Sequence, residues 1–117
     1  MSKVHSAIAR NDVRELHSLA ESGELIGERD SYGRTGLMEA VITGKNDIVK
    51  LFLDRGADTN AQDHNGYSAL HFVAQDFQLE AARLLLNANA KVDIQDEYGN
   101  SPLWRAVFNS QGRGEVI

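Results

Sequence analysis

Four histidines, His5, His17, His64 and His71, and three evenly placed aspartates, Asp30, Asp63 and Asp96, are the side chains of this 117-residue chain best suited to acid–base or metal chemistry. Neither set closes into a site. No two histidines stand at the ligand spacing of one helical face, and His64 and His71 straddle a turn and a helix. The aspartates recur every 33 residues; units of that size stack at about 10 Å, the distance between packed helices, which is too far for carboxylates to share a proton. They read as turn formers. A phosphate-cradling loop requires Gly-x4-Gly-Lys-Ser/Thr, whereas Gly44-Lys45-Asn46 lacks both the first glycine and the hydroxyl. Gly112-Arg113-Gly114 has no strand before it and no third glycine, so it reads as a turn. The absence of cysteine excludes disulfides, thiolate zinc sites, iron–sulfur clusters and a cysteine nucleophile. The expectation is a chain with no catalytic residues, no metal and no cofactor.

Composition sets further limits. Hydrophobic residues at 42% and charged residues at 25% are values of a folded globular chain, not of a disordered one. Twelve Lys+Arg against seventeen Asp+Glu give a net charge of -5, and no basic stripe is present to release counterions from a phosphate backbone, so nucleic acid is not an expected partner. Lys3, Arg10, Asp12, Arg14 and Glu15 interrupt the apolar residues of the first segment, unlike a signal peptide. The uncharged stretch from Tyr98 to Trp104 is polar and holds the only proline, Pro102, so no membrane span is expected. A cytoplasmic location is the expectation.

The elements that position these residues are repeated. Asp30, Asp63 and Asp96, then Gly33, Gly66 and Gly99, then Leu37, Leu70 and Leu103 are each 33 apart; Gly23 and Gly56 continue into Asn89, and Leu19 aligns with Phe52 and Leu85. One domain over residues 1–117 divides into units of about 1–29, 30–62, 63–95 and 96–117, the last truncated. In each unit Asp-x-x-Gly places a carboxylate at the start of a tight turn and a glycine at its end. Thr35, Ser68 and Ser101 follow as N-caps, with Pro102 at a first helical position. The first helix carries Leu37, Ala40 and Val41, repeated as Leu70, Val73 and Ala74 and as Leu103, Ala106 and Val107. A second helix carries Ile48, Val49, Leu51, Phe52 and Leu53, repeated as Ala81, Ala82, Leu84, Leu85 and Leu86; Gly23, Gly56 and Asn89 then supply left-handed C-terminal residues. A unit this small has almost no interior, so stability must come from stacking.

The blocks from Asp30 to Ala40 and from Asp63 to Val73, with Leu53-Asp54-Arg55-Gly56-Ala57-Asp58-Thr59-Asn60 between them, resemble ankyrin repeats over essentially the whole chain. The resemblance implies an all-α solenoid of stacked helix-turn-helix units with hairpin-like turns. It also implies that His71 ties neighbouring turns together and that Trp104, at the matching position, packs between units. Departures from the pattern are Phe77 in place of the glycine at Gly44, Lys91 in place of Asp58, and two extra residues around Gln111 to Gly114.

The same resemblance implies a concave face made of turn tips and first helices. It places there Tyr32, Arg34, Glu39 and Ile42, with Ser31 and Thr43 beside them. From the third unit come His64, Asn65, Tyr67, Phe72, Gln75 and Asp76. The fourth supplies Tyr98, Asn100, Arg105 and Phe108, with Glu97 and Asn109. Tyr32, Tyr67, Phe72, Tyr98 and Phe108 are five of the eight aromatics, the residue class enriched at binding hot spots, although Phe72 and Phe108 could equally pack between adjacent first helices. Lys45, Asp47, Lys50, Asp54, Gln78, Glu80 and Arg83 are expected on a solvated back. The implied function is non-enzymatic binding of a protein partner. An acidic groove fits a basic protein or toxin, which an immunity protein would neutralise; the alternative is a targeting or scaffold portion of a longer signalling protein or enzyme. The fourth unit stops before its second helix is complete, so a further expectation is that Leu84 and Leu85 are left partly open and that native sequence past Ile117, or another chain, covers them.

Overall fold

The computed structural model describes residues 2–102. They form three antiparallel helix pairs joined by long turns: α1 (Lys3–Ala9) with α2 (Val13–Ser22), α3 (Gly36–Ile42) with α4 (Asn46–Asp54), and α5 (Ala69–Asp76) with α6 (Leu79–Asn87). Among the described residues there is no strand, and Arg29 and Thr35 form one isolated antiparallel bridge at the neck of a turn. The expectations for Leu103, Trp104, Arg105, Ala106, Val107, Phe108 and Asn109, and for the segment from Gln111 to Ile117, lie outside the described residues.

α1, α2, α3 and α5 start where a hydroxyl or carboxylate can take an orphan amide, whereas α4 and α6 follow Lys45 and Gln78 with no side-chain cap. Ser2 Oγ accepts from His5 N at 3.0 Å, Asp12 Oδ1 from Glu15 N at 3.1 Å and Thr35 Oγ1 from Met38 N at 3.2 Å. Ser68 shares a reciprocal capping box with His71. The second helices α2 and α4 end just before Gly23 (φ 80) and Gly56 (φ 81), and Asn89 takes the same left-handed role after α6 (φ 66). Phe77 also sits in the left-handed region, at φ 54, where the preceding unit has Gly44 at φ 72.

The turns are built alike. Asp30 Oδ1 accepts from Tyr32 N and Arg34 N, Asp63 Oδ1 from Asn65 N and Tyr67 N, each at 2.9 Å, and Asp96 Oδ1 from Tyr98 N and Asn100 N at 2.9 and 3.0 Å. Successive turns then bond to one another, His64 N to Tyr32 O at 3.0 Å and Glu97 N to Asn65 O at 2.9 Å. This close stacking is what the turn glycine permits: a Cβ at Gly66 would lie 2.8 Å from Glu97 N and 2.9 Å from Asp96 Cα.

The core runs between the helix layers. α3 packs against α1 and α5, and α4 against α6, so each pair covers the apolar side of the one before it. Phe52, only 1% exposed, occupies the middle of the core with Val4, Ile8, Leu37 and Val49. Two expectations about surface are corrected. Leu84 is half-buried, as expected, but Leu85 is fully buried, and it is Leu79 (78% exposed) and Leu86 (48%) that face outward. The phase of α6 decides this: Ala81 and Leu85, four apart, point into the core, while Leu79, Ala82 and Leu86 form the outer stripe of an apolar cleft with Val73, Phe77 and Val92. Lys45 is the second correction. Instead of lying on a solvated back it is half-buried, and its Nζ donates to the carbonyl of Ile8 at the end of α1, a favourable place for a cation. Gln78, at the matching position one unit on, is likewise half-buried; Asp47, Lys50, Asp54, Glu80 and Arg83 are exposed.

Candidate partner-binding face

The turn tips present Tyr32 (62% exposed) and Tyr98 (76%), with His64 and Asn65 exposed between them. Behind the tips, at the entry to each first helix, Arg34, Tyr67 and Asn100 stand 33 residues apart and are half-buried. On the helices, Glu39 and Ile42 of α3 are half-buried and Gln75 and Asp76 of α5 are exposed. Phe72 is different: it is 8% exposed and belongs to the core cluster, so its ring supports the face more than it forms it. Arg105 and Phe108 lie outside the described residues.

The structure brings four of these side chains together. The guanidinium carbon of Arg34 lies over the Tyr32 ring, 4.9 Å from its centroid, and 5.7 Å from that of Phe72. Phe72 meets Tyr67 edge to face with centroids 5.6 Å apart and an interplanar angle of 87°, and Tyr67 stacks on the His71 imidazole at 5.7 Å. A patch of Tyr32, Arg34, Phe72 and Tyr67 therefore bridges the second and third units. His64 packs on the neighbouring turn, where a Cβ at Gly33 would fall on its ring. At the other end, the carboxylate of Glu97 accepts a hydrogen bond from the Tyr98 phenol and its charge adds to the effect, so the phenol ionises above its ordinary value of 10.0.

His71 does what the resemblance implies. Its imidazole is fully buried; Ser68 N donates to Nδ1 at 3.0 Å, which leaves the proton on Nε2, and Nε2 donates to the carbonyl of Asn100 at 2.8 Å. His5 repeats the tie to Arg34 O at 2.9 Å, while the matching position of the second unit is Met38, a buried apolar side chain. With every ring nitrogen committed, neither histidine is placed for general acid–base work. Among the described residues no three His, Asp or Glu side chains converge on a point where a metal could bind.

A second inter-turn ladder had a signal in the sequence that the turn motif overshadowed. Arg29 Nη1 donates to Gly33 O at 2.8 Å and to Gln62 O, one unit on, at 2.9 Å; Gln62 Nε2 repeats this to Gly66 O and Gln95 O, each at 2.9 Å. Arg29, Gln62 and Gln95 share the period of 33 and precede each turn aspartate. Long donors there tie each turn to the next.

Comparison with known proteins agrees with this geometry. The family model described as ankyrin repeats (3 copies) matches residues 37–117. Inversin of Danio rerio is 36% identical over 89 residues, covering 76% of this chain and 9% of that protein. Inversin of Homo sapiens is 33% identical over 103 residues, covering 87% and 10%. A putative ankyrin repeat protein of Rickettsia bellii is 30% identical over 109 residues, covering 92% of this chain and 59% of its own length. The chain thus spans about a tenth of the inversins and less than two thirds of the bacterial relative. With the 33-residue period, the stacked helix pairs and the histidine-tied turns, these matches make the chain a member of the ankyrin-repeat family.

Proposed function

We propose that this chain is a non-enzymatic module that binds a partner protein through the face formed by the turn tips and the first helices α3 and α5. Ankyrin repeats are generally protein–protein interaction modules, and the observation that carries the reading to this face is the contiguous patch of Tyr32, Arg34, Phe72 and Tyr67 flanked by the exposed Tyr98. Tyrosine and arginine side chains already held by their neighbours lose little further entropy on binding, which is why such residues dominate interface energetics. The second helices offer Asp47, Lys50, Glu80 and Arg83 instead, apart from the apolar edge of α6 at Leu79 and Leu86. A second reading, that the chain is the interaction segment of a longer scaffold or signalling protein, is favoured by the small share of the inversins that it spans.

The test begins with capture of partners from the source lysate and their identification by mass spectrometry. Tyr32→Ala, Tyr67→Ala and Tyr98→Ala are then measured singly against the captured protein. At least one is expected to weaken binding by about 1–4 kcal/mol. If all three bind like the parent while Lys50→Glu abolishes binding, the face is misassigned.

A further inference from the structure

Two arginines flank one turn and have opposite fates. Arg29 spends its guanidinium on the carbonyls of Gly33 and Gln62. Arg34 has its backbone pinned, its N–H donating to Asp30 Oδ1 and its carbonyl accepting from Asp30 N and His5 Nε2, yet its guanidinium makes no hydrogen bond and no ion pair among the described residues. The Nε–H is buried without an acceptor. Asp30, the carboxylate closest in sequence, already takes the amides of Tyr32 and Arg34 on Oδ1. What holds the Arg34 side chain is the pair of rings, Tyr32 and Phe72.

We infer that the Arg34 guanidinium is the docking point for a carboxylate of the partner, an Asp or Glu side chain in a segment that lies along the turn tips and first helices. This rests on the reading of that face as the binding surface. Contact with aromatic rings balances the charge of a guanidinium while leaving its donors unused, and a planar fork of N–H donors is matched by a carboxylate with two parallel hydrogen bonds. Burial of Nε and the two ring contacts restrict the side chain before the partner arrives, so little rotamer freedom is left to lose. The chain's net charge of -5 disfavours a nucleic acid as the source of the anion, although a phosphate would fit the same fork. The partner segment is therefore acidic where it meets Arg34, whatever the charge of the rest of that protein.

The probe is a hexaglutamate peptide blocked at both ends, titrated into the isotope-labelled full chain at constant ionic strength, with hexalysine and inorganic phosphate as parallel arms. Hexaglutamate is expected to shift the Arg34 Nε–Hε signal and the Tyr32 and Arg34 amides saturably, with affinity at least tenfold lower in Arg34→Gln. Arg34→Lys, which keeps the charge and loses the fork, is expected to bind at least threefold more weakly than the parent; the backbone spectra of both variants show whether the fold is kept. Saturation without movement of the Arg34 signal, or equal affinity in Arg34→Gln, overturns the assignment to Arg34. Phosphate or hexalysine acting on the same signals with equal affinity overturns the carboxylate. If the peptide saturates signals of Gln75 and Tyr98 but not Arg34, only this inference fails. Saturation confined to Lys50 and Arg83 on the second helices defeats the reading of the face as well.

Discussion

Alanine at Gly36 sets two well-defined effects against each other. Gly36 opens α3, and in a helix alanine is favoured over glycine by up to about 1 kcal/mol. Local propensity alone therefore predicts a more stable protein. The packing predicts the reverse. A Cβ at this position would lie 2.5 Å from Phe52 Cζ, 2.7 Å from Phe52 Cε1 and 2.9 Å from Val4 Cγ1. Phe52 is 1% exposed and Val4 fully buried, so neither can swing into solvent. Overpacking costs about 1–3 kcal/mol; contacts of 2.5 and 2.7 Å on a buried ring put this case at about 2–3 kcal/mol. Subtracting about 1 kcal/mol of propensity leaves a net loss of about 1–2 kcal/mol for Gly36→Ala. For a chain of this size that lowers the melting temperature by about 4–8 °C.

The next unit supplies a control, because there Ala69 stands at the position of Gly36 and Leu85 at that of Phe52. That unit thus carries the pairing of alanine with leucine that Gly36→Ala with Phe52→Leu copies. Phe52→Leu by itself should cost about 1 kcal/mol of lost burial, but the double variant should be less destabilised than the sum of the two by at least about 1 kcal/mol. Urea denaturation followed by circular dichroism on the parent, both single variants and the double measures all four corners. A Gly36→Ala protein as stable as the parent, or strictly additive losses, would refute the packing argument.

Three further outcomes are expected. His71→Ala should lower stability by about 2–4 kcal/mol, since it opens a buried cavity and leaves Ser68 N and the Asn100 carbonyl without their ring partners; a denaturant midpoint unchanged from the parent would show that the tie is dispensable. Asp63→Ala should cost about 1–3 kcal/mol, because the 8%-exposed carboxylate accepts from two turn amides, whereas Ser31→Ala at an exposed tip should change stability by less than about 0.5 kcal/mol. Tyr98 should ionise above 10.0 and Glu97→Gln should bring it back down, since the substitution removes the carboxylate charge that opposes a phenolate; ring chemical shifts followed across alkaline pH report both, and identical titrations would show that Glu97 does not act on Tyr98.

Much of this fold was legible because each unit repeats the same local instruction. The carboxylate at Asp30, Asp63 and Asp96, the glycine three residues later and the hydroxyl at Thr35 and Ser68 act within a few residues of one another, so their spacing carries their geometry. What escaped depends on contacts between units. For Phe72 the sequence leaves the face and packing between first helices both open, and only contacts between units place it in the core, 8% exposed, while Tyr98 stays 76% exposed. The run Leu84-Leu85-Leu86 occupies three consecutive helix positions, so a small error of phase exchanges the buried residue for the exposed one. The contact of Lys45 with the Ile8 carbonyl spans 37 residues, and an isolated lysine between two helices looks like any solvated cation. The stacking of Arg34 on Tyr32 and Phe72 likewise joins two units across 38 residues.

Hydrogen exchange of the captured complex tests the central claim most directly, because it locates the partner without altering a residue. Binding through the turn tips and first helices predicts slowed exchange in residues 30–34, 39–43, 63–67, 72–76 and 96–100, with the exposed backs of α4 and α6 unchanged. Protection confined to α4 and α6, with the turn amides exchanging as in the free chain, would contradict it.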